Sequence, residues 1–330
     1  MKDSIIVVGA GAAGLMTAIT ARRQNPDREV ILLDGAARPG AKILVSGGSR
    51  CNVTNSVVTE SDFWGGKRTI IRRVLRAFPV DRTVAFFREL AVALHEEAGG
   101  KLFPDSNRSR DVLDALLRGA SEAGVSLRPG HRVHDVRPTD GTFAVVTQHG
   151  ELKVSAVVLA TGGESLPKTG SDGAGLRIAE RLGHHTIKTT PALVPLVLDE
   201  ADDMHRTLTG VSHDVSVEVW IDRALDIRLD GALLWTHFGV SGPVVLDASR
   251  HWLRAKLDGR ETHVTCNPYP GKSFDDVERE WIAAGADRPR VSMQNVLAMA
   301  SMAPAMKAMS SRDPGGTGTP PTSGTPGTFQ

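Results

Sequence analysis

The sequence predicts an α/β chain: a domain built on a parallel sheet, then an antiparallel β insert, then a short helical region. Three observations predict it. Ser4 to Val8 is an unbroken apolar run, rich in β-branched residues, of the kind that a strand buried on both faces requires. Gly9-Ala-Gly11-Ala-Ala-Gly14 follows at once and opens a helical stretch. From about Thr189 the pattern changes to strict alternation, as in Val215, Val217, Val219 and Ile221, which marks half-buried antiparallel strands.

The chain has 330 residues, of which 41% are hydrophobic and 23% charged, enough for the cores of roughly two domains. Net charge is +1, so no strong field draws nucleic acid or an anionic membrane, and neither is expected as a partner. Two cysteines, Cys51 and Cys266, lie far apart and no zinc spacing occurs. That points away from a disulfide framework or a metal site and toward a cytoplasmic setting. Lys2 with the apolar run Ile5 to Met16 has the outline of a signal peptide. The run is interrupted by Gly9, Gly11 and Gly14 and continues into Arg22 and Arg23, so the glycine motif explains the same residues better.

The first unit reads as strand, glycine turn, helix, strand and acid. The helix covers about Ala12 to Gln24, Asn25-Pro26-Asp27 ends it, and Glu29 to Leu33 is the second strand. Gly9 permits the tight turn, Gly11 lets a pyrophosphate approach the backbone, and Gly14 lets helix and strand pack closely. Ala12 and Ala13 lie in the first turn, where free N–H groups and the positive end of the helix dipole favour an anion. Asp34 closes the second strand, where a carboxylate can accept both ribose hydroxyls and disfavours a 2′-phosphate. The motif alone leaves NAD and FAD open.

Gly40 to Asn55 (GAKILVSGGSRCNVTN) is the next informative stretch. It is read as a loop, too rich in Gly and Ser for a helix interior. Gly47 and Gly48 let backbone lie flat against a ligand. Lys42 and Arg50 can offset phosphate charge, and Asn52 and Asn55 can hydrogen-bond a ribityl chain or a ring edge. A surface loop with Asx turns is the bland alternative.

GAGAAGL, GAKILVSGGSRCNVTN, LATGGESLPKTGSDGAGLRIAERLGH, PALVPL and THFGVSGPVVLDASR, in that order over about residues 4–250, resemble one bacterial group. It is the FAD-dependent flavoprotein family known as NAD(P)/FAD-dependent oxidoreductases or aminoacetone-oxidase-like proteins, with a relative linked to bile-acid dehydroxylation. The resemblance implies a Rossmann-like FAD-binding domain of the two-dinucleotide-binding flavoprotein type with the Gly40–Asn55 loop beside the isoalloxazine. It also implies that the segment bearing His237 faces the flavin cleft. Ser49 departs from the family, which has a third Gly there; a Cβ is strained if that position needs positive φ.

Residues 67–97 read as helices, with Ile70, Ile71, Val74, Leu75 and Phe78 as one core-facing stripe and Val84, Phe87, Leu90 and Leu94 as another. Another helix starts near Ser109, and Arg108 and Arg110 read as solvated. Arg132–Val136, Thr142–Thr147 and Glu151–Ala160 read as a meander that leads into Thr161-Gly162-Gly163 and brings backbone N–H groups back to the cofactor. Gly170 to Gly183 is a second glycine-rich turn opening a helix, with Asp172, Gly173 and Gly175 bordering the cleft. Gly239 to Pro243 reads as a turn opening a helix. His237 and Ser241 are the nearby groups with chemistry, no triad is legible, and His237 is the one weak catalytic candidate.

The domains expected are 1–188 for FAD, with the small meander near 130–160, 189–270 for the β insert, 271–312 helical and 313–330 a disordered Gly/Pro/Thr/Ser tail. Family members are longer and end with a Gly-rich segment that closes over FAD. A truncation or frameshift near residue 300 is therefore expected. The function expected is an FAD-dependent oxidoreductase that moves hydride between a small organic substrate and the flavin, with oxygen or NAD(P)H as electron partner. The alternatives are a truncated, inactive FAD-binding remnant and a simple NAD-binding oxidoreductase. Substrate identity and oligomeric state are not legible.

Overall fold

The computed structural model describes residues 3–198 and 204–287; the expected helical region beyond residue 287 and the tail at 313–330 lie outside the described residues. The chain divides after Lys188 into two compact units.

In the first unit β1 (Ser4–Val8) feeds α1 (Ala12–Gln24), which returns the chain to β2 (Glu29–Leu33). Next come α2 (Ala41–Ser49), β3 (Thr54–Asn55), α3 (Arg68–Ala77), α4 (Val80–Glu89), β4 (Leu94–Glu97), β5 (Lys101–Pro104) and α5 (Ser109–Glu122). The chain then re-enters the sheet as β6 (Ser126–Arg128), makes a meander of β7 (Val133–Thr139), β8 (Thr142–Thr147) and β9 (Gly150–Val154), and returns as β10 (Ala156–Leu159) before α6 (Ala174–Arg181). The main sheet runs β10-β1-β2-β6 and is parallel throughout.

The period of two along β1 and β2 builds three layers. Val7, Val30 and Leu32 face α1 and α5, packing on Leu15, Ile19, Leu113 and Leu116. Ile6, Val8, Ile31 and Leu33 face the meander, packing on Val133, Val136, Val145 and Val154. Burial of each of these large side chains contributes about 1.5–3 kcal/mol relative to leaving it in water.

Four expectations need correction here. Glu151–Ala160 is not one strand. It breaks at Ser155, whose N–H and hydroxyl both bond the Ser4 carbonyl, at 3.1 and 2.7 Å, so that β9 belongs to the meander and β10 to the parallel sheet. Ala41 to Val45 is helical rather than loop, because Ile43 is buried and packs in the core shared with α5. The turn proper begins at Ser46, which has ψ 149°. The Ile70 stripe of α3 is not core: no residue of α3 is buried, and Ile70 and Val74 are 58% and 65% exposed. Leu94, placed on a helix by its spacing, lies on β4, while Phe87 and Leu90 do enter the core.

The second unit contains β11 (Leu196–Val197), α7 (Met204–Thr207), β12 (Ser212–Ile221), β13 (Ala224–Thr236), β14 (Gly239–Ser241), α8 (Pro243–Leu257), β15 (Thr262–Asn267) and α9 (Phe274–Asp287). Its sheet runs β11-β14-β13-β12-β15 with antiparallel pairing. Val215, Val217, Val219 and Ile221 point to one face, which α8 covers with Val244, Val245, Ala248 and Trp252. Gly239–Ser241 is thus a short strand rather than only a turn, because it pairs with both β11 and β13.

Candidate functional site

A cleft of about 1140 Å³ opens in the first unit. It lies at the carboxyl ends of β1, β2 and β10, where the chain order reverses across β1, the usual crevice of an open parallel sheet. Its volume exceeds that of most drug-sized sites, about 300–1,000 Å³, and suits a dinucleotide.

The floor is the glycine turn. Gly9 has φ +104°, and a Cβ there would stand 2.6 Å from the Ala160 carbonyl oxygen. A Cβ on Gly14 would overlap the Gly9 carbonyl, so this glycine sits behind the cleft as a packing residue. Gly11 differs: its Cβ position meets nothing within 4 Å and the residue lines the cleft. The backbone is therefore bare toward the space a diphosphate would take, beside Ala12 and Ala13 in the first turn of α1.

Asp34 also lines the cleft, and its carboxylate holds the loop. Oδ2 accepts the Ala10 N–H at 2.7 Å and Oδ1 the Ala36 N–H at 2.8 Å. Each oxygen keeps a second lone pair for a ribose hydroxyl.

Lys42 and Asn52 line the cleft as well, and Lys42 Nζ donates to Ser165 Oγ at 3.1 Å. Between them the backbone makes a left-handed turn: φ is +53° at Gly47, +66° at Gly48 and +68° at Ser49. Gly47 and Gly48 shape this turn without lining the cleft. The position that departs from glycine, Ser49, does have positive φ. Arg50 does not reach the cleft either. Its guanidinium grips both Glu97 carboxylate oxygens, at 2.6 and 3.1 Å, and sits 4.1 Å over the Phe103 ring. Arg50 holds the Glu97 carboxyl below the usual carboxylate range. Its charge is offset within the protein.

Thr161 and Gly162 close the cleft after β10. Gly162 has φ +74°, and a Cβ there would overlap Ser171 Oγ. Asp172 and Gly175 line the cleft as well.

Several lining residues carry no local sequence signal: Arg38, His131, Arg132, Lys168 and Cys51. Four cations, Arg38, Lys42, Arg132 and Lys168, face the cleft against two carboxylates, Asp34 and Asp172. That excess fits an anionic ligand. Cys51 is buried, and burial pushes its thiol up, so it stays protonated near neutral pH. Burial pushes Cys266 up to about 11, and both thiols are free.

His237 lies in the second unit, between β13 and β14. It is exposed and packs edge-to-face on Phe238 at 5.0 Å between centroids. Among the described residues, no helix is long and apolar enough to cross a membrane, and no group of three or more metal-ligating side chains converges.

Comparison with known proteins places these features. The chain is 29% identical over 277 residues to a 3-dehydro-bile acid delta(4,6)-reductase of Clostridium scindens, covering 84% of this chain and 67% of that one. It is 29% identical over 296 residues to a ribosomal RNA dihydrouridine synthase of Escherichia coli, covering 89% and 70%. Among solved structures, a variant of the E. coli quinol fumarate reductase FrdA aligns with a TM-score of 0.47 at 17% identity, over 65% of this chain and 43% of that one. The model of the HI0933-like protein Rossmann domain matches residues 3–300. The chain belongs to this HI0933-like Rossmann family and is an FAD-binding flavoprotein of the oxidoreductase class.

Proposed function

We propose that FAD lies in the cleft across the Gly9–Gly14 turn, and that the protein passes hydride between a small organic substrate and the flavin. The observation that carries this reading is the bare backbone at Gly11, set at the end of a parallel strand in a cleft where cations outnumber carboxylates.

The residues divide the work of binding. Gly11 and the N–H groups of Ala12 and Ala13 face the diphosphate, and Gly9 and Gly14 keep the turn tight enough for that approach. Asp34 accepts the adenosine ribose hydroxyls. Lys42 and Asn52 serve the far end, with Gly47, Gly48 and Arg50 shaping the loop that carries them. Thr161 and Gly162 close the remaining side. When bound, FAD supplies two-electron hydride chemistry, with NAD(P)H or oxygen as the electron partner.

The two relatives are named a 3-dehydro-bile acid delta(4,6)-reductase and a ribosomal RNA dihydrouridine synthase. Both names describe addition of hydrogen to an unsaturated substrate. We therefore favour reduction of an unsaturated substrate over oxidation of a saturated one; the near-neutral net charge of the chain favours a small molecule, as in the first name, over an RNA, as in the second.

The visible absorption spectrum of the purified protein tests the cofactor. Flavin bands, with FAD identified by chromatography after denaturation, are the expected result. Bleaching by NADH or NADPH under anaerobic conditions, and recovery on adding an enone, then tests direction. A colourless protein that takes up no added FAD would favour the inactive remnant, and release of NAD would favour a dehydrogenase.

A further inference from the structure

The geometry points to a strap across the cleft rim: Arg132 runs from Gly35 to Asp172 and retains the FAD beneath it. This rests on the FAD reading above.

Arg132 precedes β7, Gly35 follows Asp34, and Asp172 precedes α6; all three line the cleft. The Arg132 stem lies directly on Gly35. A Cβ built on Gly35 would stand 2.8 Å from Arg132 Cδ and 3.4 Å from its Cβ. Gly35 does not have positive φ, so backbone conformation does not demand glycine there. The space taken by the arginine stem does. The far end of the same side chain, Nη2, reaches Asp172 Oδ2 at 2.6 Å.

Asp172 is itself anchored. Its Oδ1 accepts the N–H of Ala174, the first residue of α6, at 3.1 Å, and its carbonyl accepts Arg177 Nη1 at 3.0 Å. The next residue, Gly173, donates its N–H to the Gly163 carbonyl at 3.1 Å. Through these bonds the arginine ties the ribose-side loop after β2 to the turn that follows β10. Those segments line the cleft from different strands, so a tie between them would hinder the opening of the cleft that ligand escape requires.

An ion pair that is partly exposed at both ends contributes little to folding. Its place suggests a different use. Holding two rims together slows ligand escape, so the effect falls on release more than on fold stability.

The test uses the full chain and FAD itself. Wild type, R132M, D172N, the double variant and R132K are compared by stopped-flow release of FAD and by thermal midpoints with and without FAD. R132M keeps the stem and removes the charge. R132M and D172N are each expected to speed FAD release about threefold to fivefold, the upper range for such a pair. The double variant should be no faster than the faster single, and R132K should recover part of the loss. G35A, which displaces the stem without touching a charge, should also speed release. Thermal midpoints should fall with FAD present and stay level without it. Release rates unchanged in R132M and D172N, while wild type binds FAD, would overturn the strap and leave the cofactor reading intact. Equal losses of midpoint with and without FAD would make the pair a folding contact and overturn the strap. A wild-type chain that binds no FAD would overturn both.

Discussion

Asp34 holds the amide of Ala10 at 2.7 Å, so the acid at the end of β2 braces the turn that follows β1. The same carboxylate accepts Ala36 N–H at 2.8 Å. One side chain thus braces the glycine turn and lines the cleft, where the proposed reading gives it the adenosine ribose. Asp34→Ala leaves two amide donors without their acceptor. Charge-assisted bonds of this kind contribute about 1.5–3 kcal/mol. FAD affinity is expected to fall at least about tenfold, which corresponds to about 1.4 kcal/mol. Fluorimetric titration with FAD measures it. An unchanged affinity would remove Asp34 from the site.

The left-handed turn at Gly47–Ser49 makes a second prediction. Ser49 has φ +68° with a side chain, a conformation that costs a non-glycine residue about 1–2 kcal/mol. Ser49→Gly relieves that strain at some cost in unfolded-chain entropy. It is expected to stabilise the fold by about 1 kcal/mol in urea denaturation. Gly48→Ala should cost a similar amount, because its Cβ meets nothing within 4 Å and only backbone strain acts. Gly47→Ala should cost more, because its Cβ would also stand 2.5 Å from the Asn52 amide nitrogen.

A buried histidine in the second unit sets a pH response. Trp235 Nε1–H donates to His213 Nε2 at 3.1 Å, while Nδ1 faces the Asp214 carbonyl at 3.3 Å. These partners require the neutral ring with its proton on Nδ1. Burial lowers the His213 pKa below its ordinary value, with Asp214 opposing weakly. The folded state therefore resists protonation. Its stabilising contribution is present in full above about pH 6.5, the unfolded value, and is lost as pH falls below it. Trp235 emission should change in that acid window, and His213→Phe should abolish the change. A transition unaffected by His213→Phe would assign it to another group.

Exposure separates the apolar residues of α3 from those of α5. Ile70→Ser and Val74→Ser on α3 should each shift stability by no more than about 0.5 kcal/mol, as surface substitutions do. Leu113→Ala on α5, which is 1% exposed, should cost about 2–5 kcal/mol. Thermal denaturation of the three variants decides it. A large loss at Ile70 would mean that this face is covered in solution.

Much of the site was legible from residue order because its parts are local. A strand, a turn that only glycine tolerates, a helix and a short return place Gly9, Gly11 and Asp34 together with little freedom. The second strand of the insert was legible for the same kind of reason, since alternation from Val215 to Ile221 reports one buried face directly. The loop after Gly40 was half legible. Its glycines were read as backbone laid against a ligand, whereas they shape a left-handed turn outside the cleft lining, and the helical start depended on Ile43 finding the core around α5.

The sequence by itself determined the β1–α1–β2 cradle and the acid that braces it, because short-range backbone sterics and period-two burial leave few other arrangements. Tertiary structure alone decided the rest. Periodicity shows that α3 has an apolar side, but whether anything packs on that side depends on distant chain. Arg50 has the composition of a phosphate ligand, yet Glu97, 47 residues away, takes its charge. Arg132 and Asp172 lie 40 residues apart and meet only because β10 returns beside β1. Contacts at such separations are set by how sheets and loops assemble, and no local pattern of residues encodes them.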